Sequence, residues 1–310
     1  MTLDPVVLFF LLGLAAALAR SDLKLPPALY ETLSVFLLIA IGLKGGVALA
    51  KLGSATVLWQ ALLVIGLSAL LALVAFGVLR LRLARPDAAA TAAHYGSVSV
   101  VTFAVASSYL TRQGISYEPQ LTVFLAVMEM PALIVGVVLA RLGAQGQVAW
   151  GRLAHEVLLG KSMVLLLGGL LIGYLAGPEG MKSLSPLYVD LFKPVLSLFL
   201  LEMGLVTAGK LAGLRAQGVF VALFALLTPP VFAVVGALTG QGMGLSTGGV
   251  MLLATLCASS SYIAAPAAMR IAVPEANPAV SLAASLGVTF PFNLLVGIPL
   301  YAWLARTLTA

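Results

Sequence analysis

The sequence holds one cysteine, Cys257, and two histidines, His94 and His155, in 310 residues. A lone thiol excludes an internal disulfide, and so small a stock of thiol and imidazole leaves no ligand set for a tetrahedral zinc site. Charge is scarce as well. Asp, Glu, Lys and Arg make up 9% of the chain and hydrophobic residues 61%, where a soluble domain carries about 25% charged and roughly 45–50% apolar residues. With a mean hydropathy of +1.11 the chain cannot cover a water-facing surface, and it reads as an all-α polytopic membrane protein. The net charge of +6 does not signal a nucleic-acid partner. It collects at the ends of apolar runs, and no basic cluster is denser than Arg80, Arg82 and Arg85. No arginine stands in the middle of an apolar run, so a buried dianion would find little to neutralise it.

Apolar runs dominate what is there. Ten can be marked off, at 5–19, 29–50, 57–78, 88–110, 121–140, 163–175, 187–208, 219–238, 247–269 and 280–304, most of them near the ~20 residues that cross a bilayer. Arg20 and Lys24 follow the first run instead of preceding it, the reverse of a secretory leader, so it reads as a short, retained span. Trp59 is placed as an interfacial anchor. A polar connector at 143–161 divides the chain into halves, 1–142 and 162–310, of five spans each. Odd-numbered loops hold Arg20, Lys24, Arg80, Arg82, Arg85, Arg141, Arg152, Lys161, Lys210, Arg215 and Arg270. The rest of the chain holds only Lys44, Lys51, Arg112, Lys182, Lys193 and Arg306. The positive-inside rule therefore puts the odd loops in the cytoplasm and both termini outside the plasma (inner) membrane.

The halves echo each other at an offset of 162 residues. Ser97 pairs with Ser259, Ser99 with Ser261, Ala106 with Ala268 and Gly42-Leu43 with Gly204-Leu205; a slip of two pairs Pro131 with Pro291. Such a repeat suggests duplication, and an odd number of spans per half requires the two copies to be inverted. The strongest echo is a hydroxyl-rich stretch inside each fourth span of a half, 97–104 and 259–266, the second ending on Pro266. These stretches predict that spans four and nine are broken. Broken backbone in hydrocarbon leaves unpaired polar groups unless it lines a polar site. A fresh helix N-terminus offers N–H groups and a dipole to an anion, while hydroxyls and carbonyls also suit sodium. Inverted repeats with broken helices belong to secondary transporters.

Two carboxylates stand mid-span, Glu129 and Glu202. Charge there costs at least ~2.5–3.5 kcal/mol, which marks each as a sodium ligand, a balancing charge or a proton carrier, against the alternative of a protonated acid bonded between helices. Asn293, two residues after Pro291, could offer its carbonyl to sodium or bond another helix. Lys44, near the outer end of its span, could attract an anion but reads first as a snorkelling lysine; His94 could sense pH but reads first as a satisfied structural histidine; and Cys257 reads as a small packing residue. From the residues alone, the chain is a transporter of an anion with sodium. A sodium-coupled organic-anion symporter or a cation–proton antiporter is the alternative. A membrane enzyme would need a nucleophile and base, and Cys257 and His94 lie in different halves.

Several strings are specific enough to carry a resemblance: Gly-Leu-Lys-Gly-Gly (42–46), His-Tyr-Gly-Ser-Val-Ser (94–99), Leu-Glu-Met-Gly-Leu (201–205), Ala-Ser-Ser-Ser-Tyr-Ile-Ala-Ala-Pro-Ala-Ala-Met-Arg (258–270), Pro-Glu-Ala-Asn-Pro (274–278) and Gly-Val-Thr-Phe-Pro-Phe-Asn (287–293). From about residue 22 onward the chain resembles the sodium-dependent bicarbonate transporters of the SbtA type. The resemblance implies ten helices in a core and a gate domain, a homotrimer, and sodium–bicarbonate symport. It maps the anion site onto Ser97, Ser99, Thr102, Phe103, Ser259, Ser260, Ser261, Tyr262, Ala264 and Ala265. Sodium coupling is expected at Glu129, Glu202, Asn293, Ser99 and Ser261, with no metal other than sodium. The family's PII-like regulatory partner is a weaker expectation, because the connector is shorter than the cytoplasmic loop of cyanobacterial members.

Overall fold

The computed structural model describes residues 4–50, 54–142, 151, 154–155, 158–214 and 217–310. Most of the expected connector at 143–161 lies outside them. Among the described residues every regular element is helical. Residues up to 142 hold seven described helices in five rods: α1 (Pro5–Leu18), α2 (Pro27–Leu49), α3 (Ser54–Leu79), the divided pair α4 (Arg85–Gly96) and α5 (Val100–Arg112), and the kinked pair α6 (Leu121–Val127) and α7 (Glu129–Arg141). The second half has α8 (Lys161–Gly180), α9 (Phe192–Leu214), α10 (Gly218–Gly242), the divided pair α11 (Thr247–Ala258) and α12 (Ala264–Ala272), and α13 (Pro278–Thr309). Taking each of α4–α5, α6–α7 and α13 as one rod, eight helices are long and apolar enough to cross a membrane, and α1 and α11 are shorter apolar helices.

Departures from the expected spans have local causes. The fifth span kinks at Met128 because Pro131 has no N–H for the Val127 carbonyl. The sixth runs on to Gly180 instead of ending near Leu175, turning at Gly177, whose φ of 61° glycine adopts without strain, just before Pro178. The seventh begins at Phe192, not Leu187, because a wide turn at Pro186–Asp190 takes up the first residues. In α13 wide π-type turns at Ala283–Thr289 and Asn293–Gly297 flank Pro291 and precede Pro299, where the backbone must open around missing donors.

Packing sorts the helices into two groups. In one, α1 lies on α9 and α2 on α8; in the other, α3, α4 and α7 pack together, as do α10, α11 and α13. The first group is held by glycine contacts that let backbones touch. A Cβ on Gly42 would meet the Leu166 carbonyl, the Gly169 carbonyl carbon and the Leu170 amide; one on Gly204 would meet the same atoms of Phe10, Gly13 and Leu14. Gly42 and Gly204 are 162 residues apart, and each pair of their partners is 156 apart.

The ends of the broken spans are exchanged in the same manner. The loop after α5 sends Glu118 to the start of α11, where its carboxylate accepts from the Ser246 amide and hydroxyl. The loop after α12 reaches the start of α4, where Asp87 accepts the Asn277 amide at 2.7 Å. Both acids sit at helix N-termini, the end that favours negative charge. At the C-terminal end of α12, Arg141 donates to the Ala272 carbonyl at 2.7 Å and pairs with Glu275 at 2.9 Å. Glu275 lies outside the spans. Its carboxyl is held below the ordinary value, first by its own backbone N–H and then by Arg141, so its contribution is present above the unfolded carboxylate range and is lost as pH falls. That contribution is small because the carboxylate is largely exposed. We expect Arg141→Ala to lower stability by ~1 kcal/mol through the lost helix-end contact, and Glu275→Gln to change it little. Thermal unfolding in detergent measures both, and equal losses would contradict the assignment.

Candidate functional site

The innermost rods are the two broken ones. The stretch Arg85–Arg112 is buried along the whole of its apolar window, and every residue of α11 from Gly248 to Ala258 is buried. Neither can continue as helix through its hydroxyl cluster, because serine side chains there offer the backbone competing bonds. Ser97 and Ser259, which terminate α4 and α11, have ψ of 179° and 170°, so both rods turn to extended backbone at matching positions.

The breaks meet. The Ser99 amide donates to Ser259 Oγ at 2.9 Å, and the Ser261 amide donates to the His94 carbonyl at 2.8 Å. Counting hydroxyl protons then divides the candidate residues. Ser97 donates to the Glu129 carbonyl at 3.2 Å, Ser259 to the Leu256 carbonyl at 2.8 Å, and Thr102 to Ser99 Oγ at 2.9 Å. These three protons are committed to the scaffold. Ser99 Oγ accepts the Thr102 amide at 3.1 Å and Ser261 Oγ accepts the Ala265 amide at 3.2 Å; each caps the helix that follows, and its own proton stays free. Among the described residues Ser260 Oγ and Tyr262 OH are buried and meet no partner in hydrogen-bonding geometry, with Ser99 as the hydroxyl neighbour of Tyr262, although burial without a bond costs roughly 1–3 kcal/mol. The Val100 and Val101 amides at the start of α5 also find no partner among the described residues. Four hydroxyl protons and the leading amides thus remain for a ligand.

Phe103 is buried on α5, its amide donating to the Ser99 carbonyl at 3.0 Å. Ala264 and Ala265 open α12 and leave room at its N-terminus. The Tyr262 ring meets Phe290 edge-on at 5.2 Å, and Phe290 meets Phe10 of α1 at 5.6 Å, so an aromatic train joins the break to the other helix group.

Glu129 is 5% exposed at the start of α7. Among the described residues its carboxylate makes no hydrogen bond or ion pair. It lines a chamber of about 220 Å³ with Lys161, Ser162, Ile263 and Ala264, so the acid and the N-terminus of α12 face one space. Glu202 lies elsewhere. It stands half-buried on α9 within the α1–α2–α8–α9 group; its Oε2 is buried without a partner and no hydrogen bond joins it to either break. Asn293 does reach a break, but as a clamp. Its Nδ2 donates to the Ala258 carbonyl at 2.9 Å and its Oδ1 accepts from Tyr301 at 2.7 Å, which leaves one lone pair of the carbonyl expected for sodium. His94 bonds the Ala90 carbonyl through Nδ1 at 2.8 Å, but its Nε2 is buried without a partner among the described residues, so the ring is half satisfied and not the fully satisfied structural histidine expected. Cys257 packs where a Cβ on Gly236 would stand.

The residues match a family model described as the Na+-dependent bicarbonate transporter superfamily over positions 5–306. The chain belongs to that superfamily. No curated protein matches it. At family level it is a multi-pass sodium-dependent bicarbonate transporter with sodium as the coupling ion, and membership of a transporter family sets the membrane enzyme aside.

Three supporting residues of this transporter escaped the sequence reading. Ser68 Oγ on α3 lies 2.9 Å from the carbonyls of both Gly96 and Met128 and donates to one at a time, tying the end of α4 to the kink before Glu129. Thr289 donates to the Ala225 carbonyl at 2.7 Å, so at the 2.6 Å contact Tyr95 must be the donor to Thr289. Only Ser68 had no signal at all; Tyr95 and Thr289 lie inside quoted strings whose packing partners the sequence does not reveal.

Proposed function

We propose that this chain is a sodium–bicarbonate symporter of ten spans in two inverted five-helix repeats, 1–142 and 162–310, working by alternating access in a plasma (inner) membrane with both termini outside. The carrying observation is the meeting of the two breaks, with Ser260 Oγ and Tyr262 OH buried and unpartnered beside it. Bicarbonate, small and rich in acceptors, takes the free protons of Ser99, Ser260, Ser261 and Tyr262 and the leading amides of α5. Phe103, Ala264 and Ala265 shape the space around it, and Ser97, Thr102 and Ser259 hold the frame. Sodium sits between the anion and Glu129, where it offsets the cost of bringing a charge into a low dielectric. Glu202 and Asn293 act indirectly, through the α1–α2–α8–α9 group and through the end of α11.

The exchanged glycine contacts and the crossed contacts at the starts of α4 and α11 support the inverted repeat. The α1–α2–α8–α9 group is then the gate, and the remaining helices form the core. With odd loops in the cytoplasm, the Glu129 chamber opens inward, which corresponds to an inward-open state. Movement of the gate past the Phe10–Phe290–Tyr262 train exposes the breaks to the other side. A homotrimer follows from the family likeness, as does a PII-like partner, for which the short connector is a poor match.

The test is uptake of labelled bicarbonate into proteoliposomes. An inward sodium gradient should drive accumulation, and potassium or choline should not replace it. Equal uptake in all three salts would overturn symport, and exchange of sodium for protons without bicarbonate would favour the antiporter.

A further inference from the structure

A second chamber, of about 350 Å³, lies at the opposite end of α5 from the breaks. Its walls come from the C-terminal half of α2, the last turns of α5, the start of α6 and the turn before α9. It is charged in a particular way. Lys44 and Lys193 both line it, with Asp190 as the one acid, so its formal charge is plus one. Among the described residues neither lysine has a carboxylate within 4.0 Å. The Lys44 ammonium instead rests 4.0 Å from the centroid of the Phe192 ring, a contact that fixes its position and leaves its N–H donors open.

Hydroxyl protons can be counted here too. Ser107 donates to the Ala104 carbonyl and Thr111 to the Ser107 carbonyl, both at 2.9 Å. Ser108 is 4% exposed and its Oγ has no partner. A buried hydroxyl left unbonded beside two unpaired ammonium groups is an anion-binding arrangement, since ammonium and hydroxyl both donate and the only acceptor charge is outnumbered.

We infer that this chamber is a vestibular site for a small inorganic oxyanion, held by Lys44, Lys193 and Ser108 in series with the breaks. The inference rests on the proposed transport reading for its role, since Ser108 lies nine residues along α5 from Ser99, about 13 Å at the helical rise. A single net positive charge suits a monoanion. A volume of this size admits one with part of its hydration shell, so the site collects the anion before it is stripped of water at the breaks. Both lysines are exposed, as snorkelling residues are, but Lys44 is held over the Phe192 ring at the chamber wall and Ser108 lacks the bond to its own helix that a packing serine makes.

Charge-selective thiol labelling tests the site without relying on transport. S108C, and T111C as a second position, are introduced into full-length protein carrying Cys257→Ala. Each is labelled with anionic sulfonatoethyl and cationic trimethylammonioethyl methanethiosulfonate. The anionic reagent should be favoured about tenfold over its ratio with a free thiol, in the range of electrostatic focusing by a charged cleft. That preference should collapse in Lys44→Gln/Lys193→Gln, survive in Lys44→Arg, and weaken as salt rises. Bicarbonate should slow labelling in the lysine-bearing protein only. Labelling without charge preference, or no labelling at either position, overturns the site. In proteoliposomes the double Gln variant should raise KM for bicarbonate several-fold with kcat little changed. Absence of uptake in the unmodified protein would instead count against the transport reading, leaving the labelling result to decide this one.

Discussion

Tyr262→Phe should cut sodium-driven bicarbonate uptake by about 10- to 100-fold, the equivalent of one hydrogen bond to a charged ligand at roughly 1.5–3 kcal/mol, while leaving stability unchanged or slightly raised. The two halves of that expectation come from one observation. Tyr262 OH is buried without a protein partner, so its removal breaks no bond in the protein and relieves an unpaired group. The ring keeps its edge contact with Phe290. Ser260→Ala should behave alike. Ser259→Ala should do the reverse, because Ser259 Oγ accepts the Ser99 amide and donates to the Leu256 carbonyl. It should destabilise the protein by ~1–3 kcal/mol as the Ser99 amide is left unsatisfied. Uptake in proteoliposomes and thermal unfolding of the same preparations give both readouts. If Tyr262→Phe transports normally, the anion is not bound between the breaks.

Glu129→Gln should weaken sodium coupling at least tenfold. The carboxylate is buried and unpaired, and it shares a chamber with the first residues of α12, so the negative charge faces the positive end of a helix. Gln keeps the shape and removes the charge. A sodium ion held there would lose its counter-charge, and half-saturation by sodium should rise at least tenfold, or uptake should fall to background, on the scale of ~1.5–3 kcal/mol for a lost charged contact. Glu202→Gln should have the smaller effect, since no hydrogen bond links Glu202 to the breaks. Full activity of Glu129→Gln at both limiting and saturating sodium would assign the acid to packing. A larger effect at Glu202 would move the coupling site into the α1–α2–α8–α9 group.

The positions of the broken rods were legible in the sequence because hydroxyl clusters are out of place in an apolar run, and the 162-residue echo told which serines correspond. What could not be read was the use of each proton. Ser97 and Ser99 look equivalent as letters, yet one bonds a carbonyl at the start of α7 and the other caps α5. The same holds for Asn293, whose carbonyl was free on paper and is engaged by Tyr301, eight residues away on a helix widened by π turns. Glu129 and Glu202 were indistinguishable by depth. Their separation depends on which helix face meets which neighbour, and with glycine and alanine lining so many faces, periodicity gives no direction. Ser68, alone in an apolar run, acts only through two carbonyls, at Gly96 and Met128, that local sequence does not place beside it.

The exchanged contacts of the two halves also bear on ancestry. Residues 1–142 alone would leave the glycine surfaces of α1 and α2 uncovered and Glu118 and Asp87 without the amides they hold. On the inverted-duplication reading, these contacts descend from the interface between two separate copies of a five-helix protein inserted in opposite directions in the same membrane. Such an ancestor needed a nearly balanced distribution of lysine and arginine, so that both orientations were made. Fusion through the connector fixed the two orientations at one to one and freed each copy to specialise. On that reading, the slip of two that pairs Pro131 with Pro291 also sets Glu129 opposite Thr289, which became part of the scaffold.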